Sequence, residues 1–103
     1  MTWLRTRDAL DTAWKPSPGE EAVWRAARAR RGPWAVALSG GADSVALLLR
    51  VAAAGARARR RVVALHVDHG LRGAASAADA RFCRTLCRAL GVGFRLRRAA
   101  LGR

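Results

Sequence analysis

The six residues Ser39-Gly40-Gly41-Ala42-Asp43-Ser44 bring two hydroxyls, a carboxylate and a glycine pair together between one apolar run and the next. A glycine pair at a strand-to-helix turn lets the backbone approach a ligand closely. It also aims unpaired N–H groups and the positive end of a helix dipole at an anion. Ser39 and Ser44 would add hydroxyl donors, which makes a phosphate the natural occupant. Asp43 fits an anion site if a divalent cation bridges it to phosphate oxygens, or if it orients the loop by accepting backbone N–H groups. The residues therefore point to a metal-nucleotide, with Asp43 near Mg²⁺. The plain structural alternative is a tight strand-to-helix turn that binds nothing.

Other phosphate and catalytic motifs fit less well. A Walker loop needs a lysine before its final hydroxyl, and GxGxxG is absent. Ala37-Leu38-Ser39-Gly40-Gly41 is a loosened nucleophile elbow, but a serine hydrolase needs an acid and then a histidine later in the chain. His66 and His69 come too early for that order. The segment His66-Val67-Asp68-His69-Gly70 offers three metal-ligating side chains. Strand alternation puts His66 and Asp68 on one side and turns His69 away unless the strand has ended. Lining a pocket through the backbone, with His69 and Arg72 as polar loop residues, is the simpler reading. Cys83 and Cys87 are four apart with no CxxC, which indicates neither a zinc site nor a disulfide framework. They read as reduced thiols of a cytosolic protein, placed in a helix core.

Positioning these groups requires strands alternating with helices. Ser17, Pro18 and Glu20 punctuate a helix start, Glu20 and Glu21 suit its positive end, and Arg28 to Arg31 with Gly32-Pro33 suit its end. Residues 1–16 read as an N-terminal arm. Trp34 to Leu38 suits a short buried strand, and from Ser44 the residues Val45, Leu48, Leu49 and Ala52 recur at helical spacing. Gly55 and the Arg57 to Arg61 cluster then read as a loop. Val62 to Val67 repeats the buried-strand pattern. Ser76 with Asp79 reads as a capping box before a stripe of Phe82, Cys83, Leu86, Cys87 and Leu90, with Arg81, Arg84 and Arg88 opposite. Gly91 closes that helix, and Val92 to Arg98 reads as a third strand. Such alternation implies right-handed crossovers and a parallel sheet, whose carboxyl edge gathers the loops that bind ligand.

The chain as a whole allows one small domain of 103 residues. Its net charge of +13 favours polyanionic partners, and the arginine faces of the helices could touch RNA, though solvated surface serves equally as an explanation. No run approaches the length of a membrane span, and the N-terminus lacks a continuous apolar signal core.

Ser39 to Ser44 matches the SGGxDS loop of the PP-loop ATP pyrophosphatases, and residues 66–92, HVDHGLRGAASAADARFCRTLCRALGV, resemble the segment that comes after it in tRNA(Ile)-lysidine synthetases. The loop is shared with GMP, NAD and asparagine synthetases and tRNA thiolation enzymes, so the second segment discriminates. The resemblance implies a three-layer HUP-type α/β fold that binds ATP and cleaves it between the α and β phosphates. It implies ligation of free L-lysine to C2 of the wobble cytidine of a tRNA(Ile) with a CAU anticodon, in the cytoplasm. Ser39, Gly40, Gly41, Ala42, Asp43 and Ser44 would then form the ATP loop, His66 and Val67 would lie beside the adenine, and Asp43 would serve catalysis through Mg²⁺. A homodimer is a further expected assembly.

Asp68 stands where family members commonly have Asn. Family members also run on past Arg103, through a GHxxDDxxET-like segment, a lysine-binding region and tRNA-binding domains. Residues 17–103 thus read as the N-terminal part of a truncated ATP-binding domain, inactive alone, whose incomplete sheet leaves an edge open to pairing. The alternatives are a catalytically incomplete nucleotide- or RNA-binding remnant and another PP-loop tRNA-modifying enzyme. A thiolase among the latter would need CxxC cysteines.

Overall fold

The structure is a computed structural model that describes residues 2–68 and 74–98. Its elements run α1 (Trp3–Ala13), α2 (Pro18–Ala29), β1 (Trp34–Ala37), α3 (Ala42–Ala58), β2 (Val62–Asp68), α4 (Ala74–Leu90) and β3 (Gly93–Arg98). The strands form one parallel sheet in the order β1-β2-β3, with Val36 opposite Ala64 and His66 opposite Leu96. Parallel neighbours need crossover connections, and α3 and α4 supply them.

Side-chain alternation then decides what is buried. Val36, Val62, Ala64 and His66 point into the helices, where Leu48 and Leu49 of α3 and Cys83, Leu86 and Cys87 of α4 meet them. Ala35, Ala37, Leu65 and Val67 point the other way and are exposed. The α/β class and parallel sheet match the sequence reading; of the three expected layers, the described residues supply two.

Local chemistry explains most element ends. The Ser17 hydroxyl accepts the Glu20 N–H at 3.2 Å at the start of α2, with Pro18 in the first turn. Gly91 ends α4 with positive φ, and the Val92 N–H reaches back to the Cys87 carbonyl. Three expectations need correction. α3 starts at Ala42, not Ser44, because Gly41 already has the N-cap geometry. α4 starts at Ala74, so Ser76 lies inside the helix and not at its cap.

The third correction concerns Gly55, which does not open a loop: α3 continues to Ala58 and ends on Arg59 in the left-handed conformation, with the Arg60 N–H on the Gly55 carbonyl. A Cβ at residue 55 would lie 2.6 Å from Val62 Cγ2 and 3.0 Å from the Arg60 carbonyl oxygen. Glycine is there so that the helix can lie against β2.

The N-terminal arm is a docked helix. Thr2 caps α1, Trp3 and Leu10 pack against the core, and Trp3 meets Phe82 edge-on at 6.2 Å. Asp11 joins Arg50 of α3 at 2.7 Å and also pairs with Arg57. Glu20 joins Arg50 at 2.6 Å and accepts the indole N–H groups of Trp14 and Trp24. One buried guanidinium therefore holds α1 and α2 onto α3. Removing either carboxylate would leave that cation partly uncompensated.

Gly55 and Glu20 can each be tested by stability. Gly55→Ala should lower the unfolding free energy by about 1–2 kcal/mol despite alanine's better helix propensity, seen as a lower urea midpoint at unchanged slope. The Trp24 indole N–H, with help from Arg50 and Trp14 and against desolvation, holds the Glu20 carboxyl below its ordinary 4.5. Its stabilising contribution is therefore complete above pH 4.5 and declines as pH falls through the lower folded value. Urea midpoints measured from pH 7 to 3 should show that decline, and Glu20→Gln should flatten it.

Candidate functional site

The loop between β1 and α3 begins where the Leu38 N–H makes a last sheet bond to the Leu65 carbonyl at 2.9 Å. Ser44 organises the turn. Its Oγ accepts the N–H groups of Ser39 at 3.1 Å and Gly40 at 3.2 Å and lies 3.0 Å from the Gly41 carbonyl, to which it can donate. Ser39 Oγ accepts the Gly41 N–H at 3.2 Å and lies 3.0 Å from Ser44 Oγ. Both hydroxyls, expected from the sequence to face a ligand, are engaged in holding the loop, together with its first three N–H groups.

The donors left for an anion belong to the helix itself. Gly41 brings no side chain to cap α3, unlike Thr2 and Ser17 at the two preceding helices. The N–H groups of Ala42, Asp43 and Ser44 start a 17-residue helix and have no intrahelical partner. They carry the positive end of its dipole. The Asp43 carboxylate is exposed beside them, and none of the described residues hydrogen-bonds or ion-pairs with it. A hard cation that takes one carboxylate and completes its shell with phosphate oxygens and water fits that position.

The two glycines do different jobs. Gly40 has φ of +99° and sits over Cys83, whose Sγ would be 3.5 Å from a Cβ. Gly41 has an ordinary φ of −75°, and a Cβ there would meet only the Ser39 Oγ at 3.6 Å. The backbone demands glycine at 40. At 41 nothing among the described residues does, which leaves open space against the loop.

His66 is only 4 % exposed, and its Nδ1–H donates to the Leu38 carbonyl at 2.7 Å, which fixes the end of β1 where the loop departs. Cys83 Sγ lies 3.8 Å from the same nitrogen, and Phe94 stacks on the ring at 6.4 Å. Val67 lies on the opposite face of the sheet, which no described helix covers, and is 39% exposed. The structure therefore places the loop residues together, with His66 beneath them and the Val67 side chain apart. His69 and Arg72 lie outside the described residues, and among the described residues no group of three His, Cys, Asp or Glu could hold a metal.

Burial pushes the Cys83 thiol up, with Asp79 adding to it, and pushes Cys87 up to about 11, with Cys83 adding to that. Both are protonated core groups, as the helix stripe suggested. The pin from His66 to Leu38 was not foreseen. Its signal was a histidine on the core-facing alternation of an otherwise apolar strand.

The glycine contrast is testable. Gly40→Ala should lower the unfolding free energy by about 1–3 kcal/mol, since it forces an L-residue into a sparsely allowed conformation. Gly41→Ala should leave the urea midpoint within about 0.5 kcal/mol of wild type.

Comparison with known proteins agrees with this geometry. The PP-loop domain model matches residues 20–102. The tRNA(Ile)-lysidine synthase of Solibacter usitatus is 50% identical over 68 residues, covering 66% of this chain and 15% of the relative. That of Nitratidesulfovibrio vulgaris is 58% identical over 57 residues, 55% of this chain and 16% of the relative. That of Pseudomonas aeruginosa is 45% identical over 78 residues, 75% of this chain and 16% of the relative. The matched part of the chain thus spans about 15% of the length of these curated relatives. The parallel sheet with its crossover helices is part of a HUP-like α/β fold, and the chain belongs to the PP-loop domain family.

Proposed function

We propose that the chain is the ATP-binding portion of a tRNA(Ile)-lysidine synthetase, with ATP held at the SGGADS loop. The observation that carries the reading is the extent of identity. It runs over 57 to 78 residues in the Nitratidesulfovibrio and Pseudomonas synthases, far beyond the six-residue loop that many PP-loop enzymes share. Residues 17–103 form the nucleotide-binding part and residues 1–16 the arm.

The phosphates of ATP lie at the N-terminus of α3, on the free N–H groups of Ala42, Asp43 and Ser44. Ser39 and Ser44 keep the loop shaped for them, and Gly40 and Gly41 let them approach. His66 fixes the end of β1 from below, and the backbone at His66 and Val67 borders the adenine. Asp43 would hold Mg²⁺, which when bound neutralises phosphate charge. The reaction joins the cytidine C2 oxygen to the α-phosphorus as pyrophosphate leaves; the lysine amine then displaces AMP at C2. The partners on this reading are tRNA(Ile) and free L-lysine, and the compartment is the cytoplasm. No helix among the described residues is long and apolar enough to cross a membrane.

A second reading is a nucleotide-binding module without catalysis. Titration of the purified chain with ATP and Mg²⁺ by calorimetry tests the site. Asp43→Ala and Gly41→Val should each weaken binding at least tenfold while the far-ultraviolet circular dichroism stays unchanged. Equal affinity in all three proteins overturns the assignment. Pyrophosphate release on adding tRNA(Ile) and lysine to the ATP complex overturns the module reading.

A further inference from the structure

Charged groups are sorted along the strands of the sheet. The three aspartates outside α1 lie at the carboxyl edge with the nucleotide loop. Asp43 is in the first turn of α3, Asp68 ends β2, and the Cβ of Asp79 on α4 would lie 4.0 Å from a Cβ at Gly40. The amino edge, about 20 Å away along the seven residues of β2, gathers arginines instead. α2 ends there at Arg28, Arg30 and Arg31, α3 gives way to β2 through Arg59 and Arg61, and α4 has Arg88 in its last turn. All six are exposed.

Hydrogen bonds draw the first two groups together. Arg60 donates to the carbonyls of Arg30 at 2.8 Å and Gly32 at 3.1 Å, and the Trp34 N–H donates to the Arg61 carbonyl at 2.8 Å. Arg60 and Arg57 are thereby committed within the fold, whereas the six exposed arginines make no ion pair with any described residue. Carboxylates do not neutralise them. Glu20 and Glu21 stand at the far end of α2, Asp8 is paired with Arg7, and Asp11 with Arg50 and Arg57.

Arg59 supplies an independent sign. It ends α3 at φ of +54° and ψ of +39°, a conformation that glycine adopts freely and in which the Cβ of an L-residue crowds its own backbone. Its exposed side chain makes no hydrogen bond or ion pair with a described residue, so neither backbone nor packing asks for arginine there.

The chemistry of the edge selects its partner. Guanidinium forks match phosphate oxygens two at a time, and counterion release from a phosphate backbone drives association. None of the exposed large apolar residues falls within residues 28–33 or 57–61. The surface thus lacks the apolar centre of a protein interface and the side chains that insert into a membrane. We infer that the amino edge of the sheet is a contact surface for RNA, holding the sugar-phosphate backbone of a folded RNA while the nucleotide loop works at the opposite edge. The separation keeps RNA phosphates from competing with those of ATP for the α3 N-terminus. The identity of the RNA rests on the synthetase reading, on which it is the tRNA whose wobble cytidine is modified, held away from its anticodon.

Fluorescence anisotropy of a labelled tRNA(Ile) transcript, titrated with the purified chain over a series of salt concentrations, tests the surface. Replacing Arg30, Arg31, Arg59 and Arg61 by Gln should weaken binding at least tenfold and lower the slope of log Kd against log salt by about 2–3, since each phosphate contact contributes roughly 0.7. Replacing Arg81, Arg84, Arg95 and Arg97 by Gln removes the same charge elsewhere and should change affinity less than about threefold. Arg59→Gly separates the contact from folding: it should raise the urea midpoint while weakening RNA binding by about threefold. Unchanged affinity in the amino-edge variant, equal losses in the two charge-matched variants, full affinity in Arg59→Gly, or tighter binding to anionic phospholipid vesicles than to the tRNA each overturns the inference. ATP affinity is read separately by calorimetry. A chain that fails to bind ATP but shows these RNA effects loses the nucleotide site and keeps the RNA surface.

Discussion

Helix α3 can lie against the β1–β2 pair because residue 55 has no Cβ, and the geometry of the molecule depends on that contact. Val62 Cγ2 and the Arg60 carbonyl occupy the space a larger residue would need. With the C-terminal end of α3 set against the start of β2, its N-terminal end falls at the end of β1. Ser44 can then reach back to the N–H groups of Ser39 and Gly40. The middle of the helix buries Arg50, on which α1 and α2 converge. A helix held further from the sheet would loosen the loop at one end and the arm at its centre together. Gly55 is therefore coupled to the nucleotide loop without being near it.

The charge of the chain divides in a way its total conceals. Arg50 and Arg57 are matched to Asp11 and Glu20. Arg60 donates to the carbonyls of Arg30 and Gly32 behind the end of α2 and lies over Trp34 at 5.1 Å. These three work inside the fold. Arg81, Arg88, Arg95 and Arg97 are exposed and make no ion pair with any described residue. Exposed charges of this second kind add most to the field that a polyanion meets.

Much of the architecture was legible in the sequence because local rules and tertiary context agree there. Ser17 and Pro18 start a helix on backbone grounds alone, and short apolar runs separated by helical periods admit little besides a parallel sheet. The misreadings occur where a residue answers to a distant partner. Gly55 resembles a helix stop, but its reason is Val62 across the crossover. Arg50 carries no local signal of burial, because its two carboxylates sit 39 and 30 residues earlier. Ser44 resembles a ligand donor, although its nearest demand is the loop's own N–H groups. A sequence pattern shows which groups a residue offers, but not which of several claimants reaches it first.

That competition also clarifies the site. If Ser39 and Ser44 were aimed at a phosphate, the loop N–H groups would have to find other acceptors or water, and the turn would lose its shape with each departing ligand. With the hydroxyls committed internally, the turn keeps the α3 N-terminus in place before ligand arrives, and binding does not require a loop to be ordered first. Gly40 supplies the conformation this needs, and Cys83, protonated and buried below it, gives the turn a neutral floor. Gly41 remains as the one glycine of the loop with no internal reason, and the space above it is where a phosphate can come within hydrogen-bonding distance of the backbone.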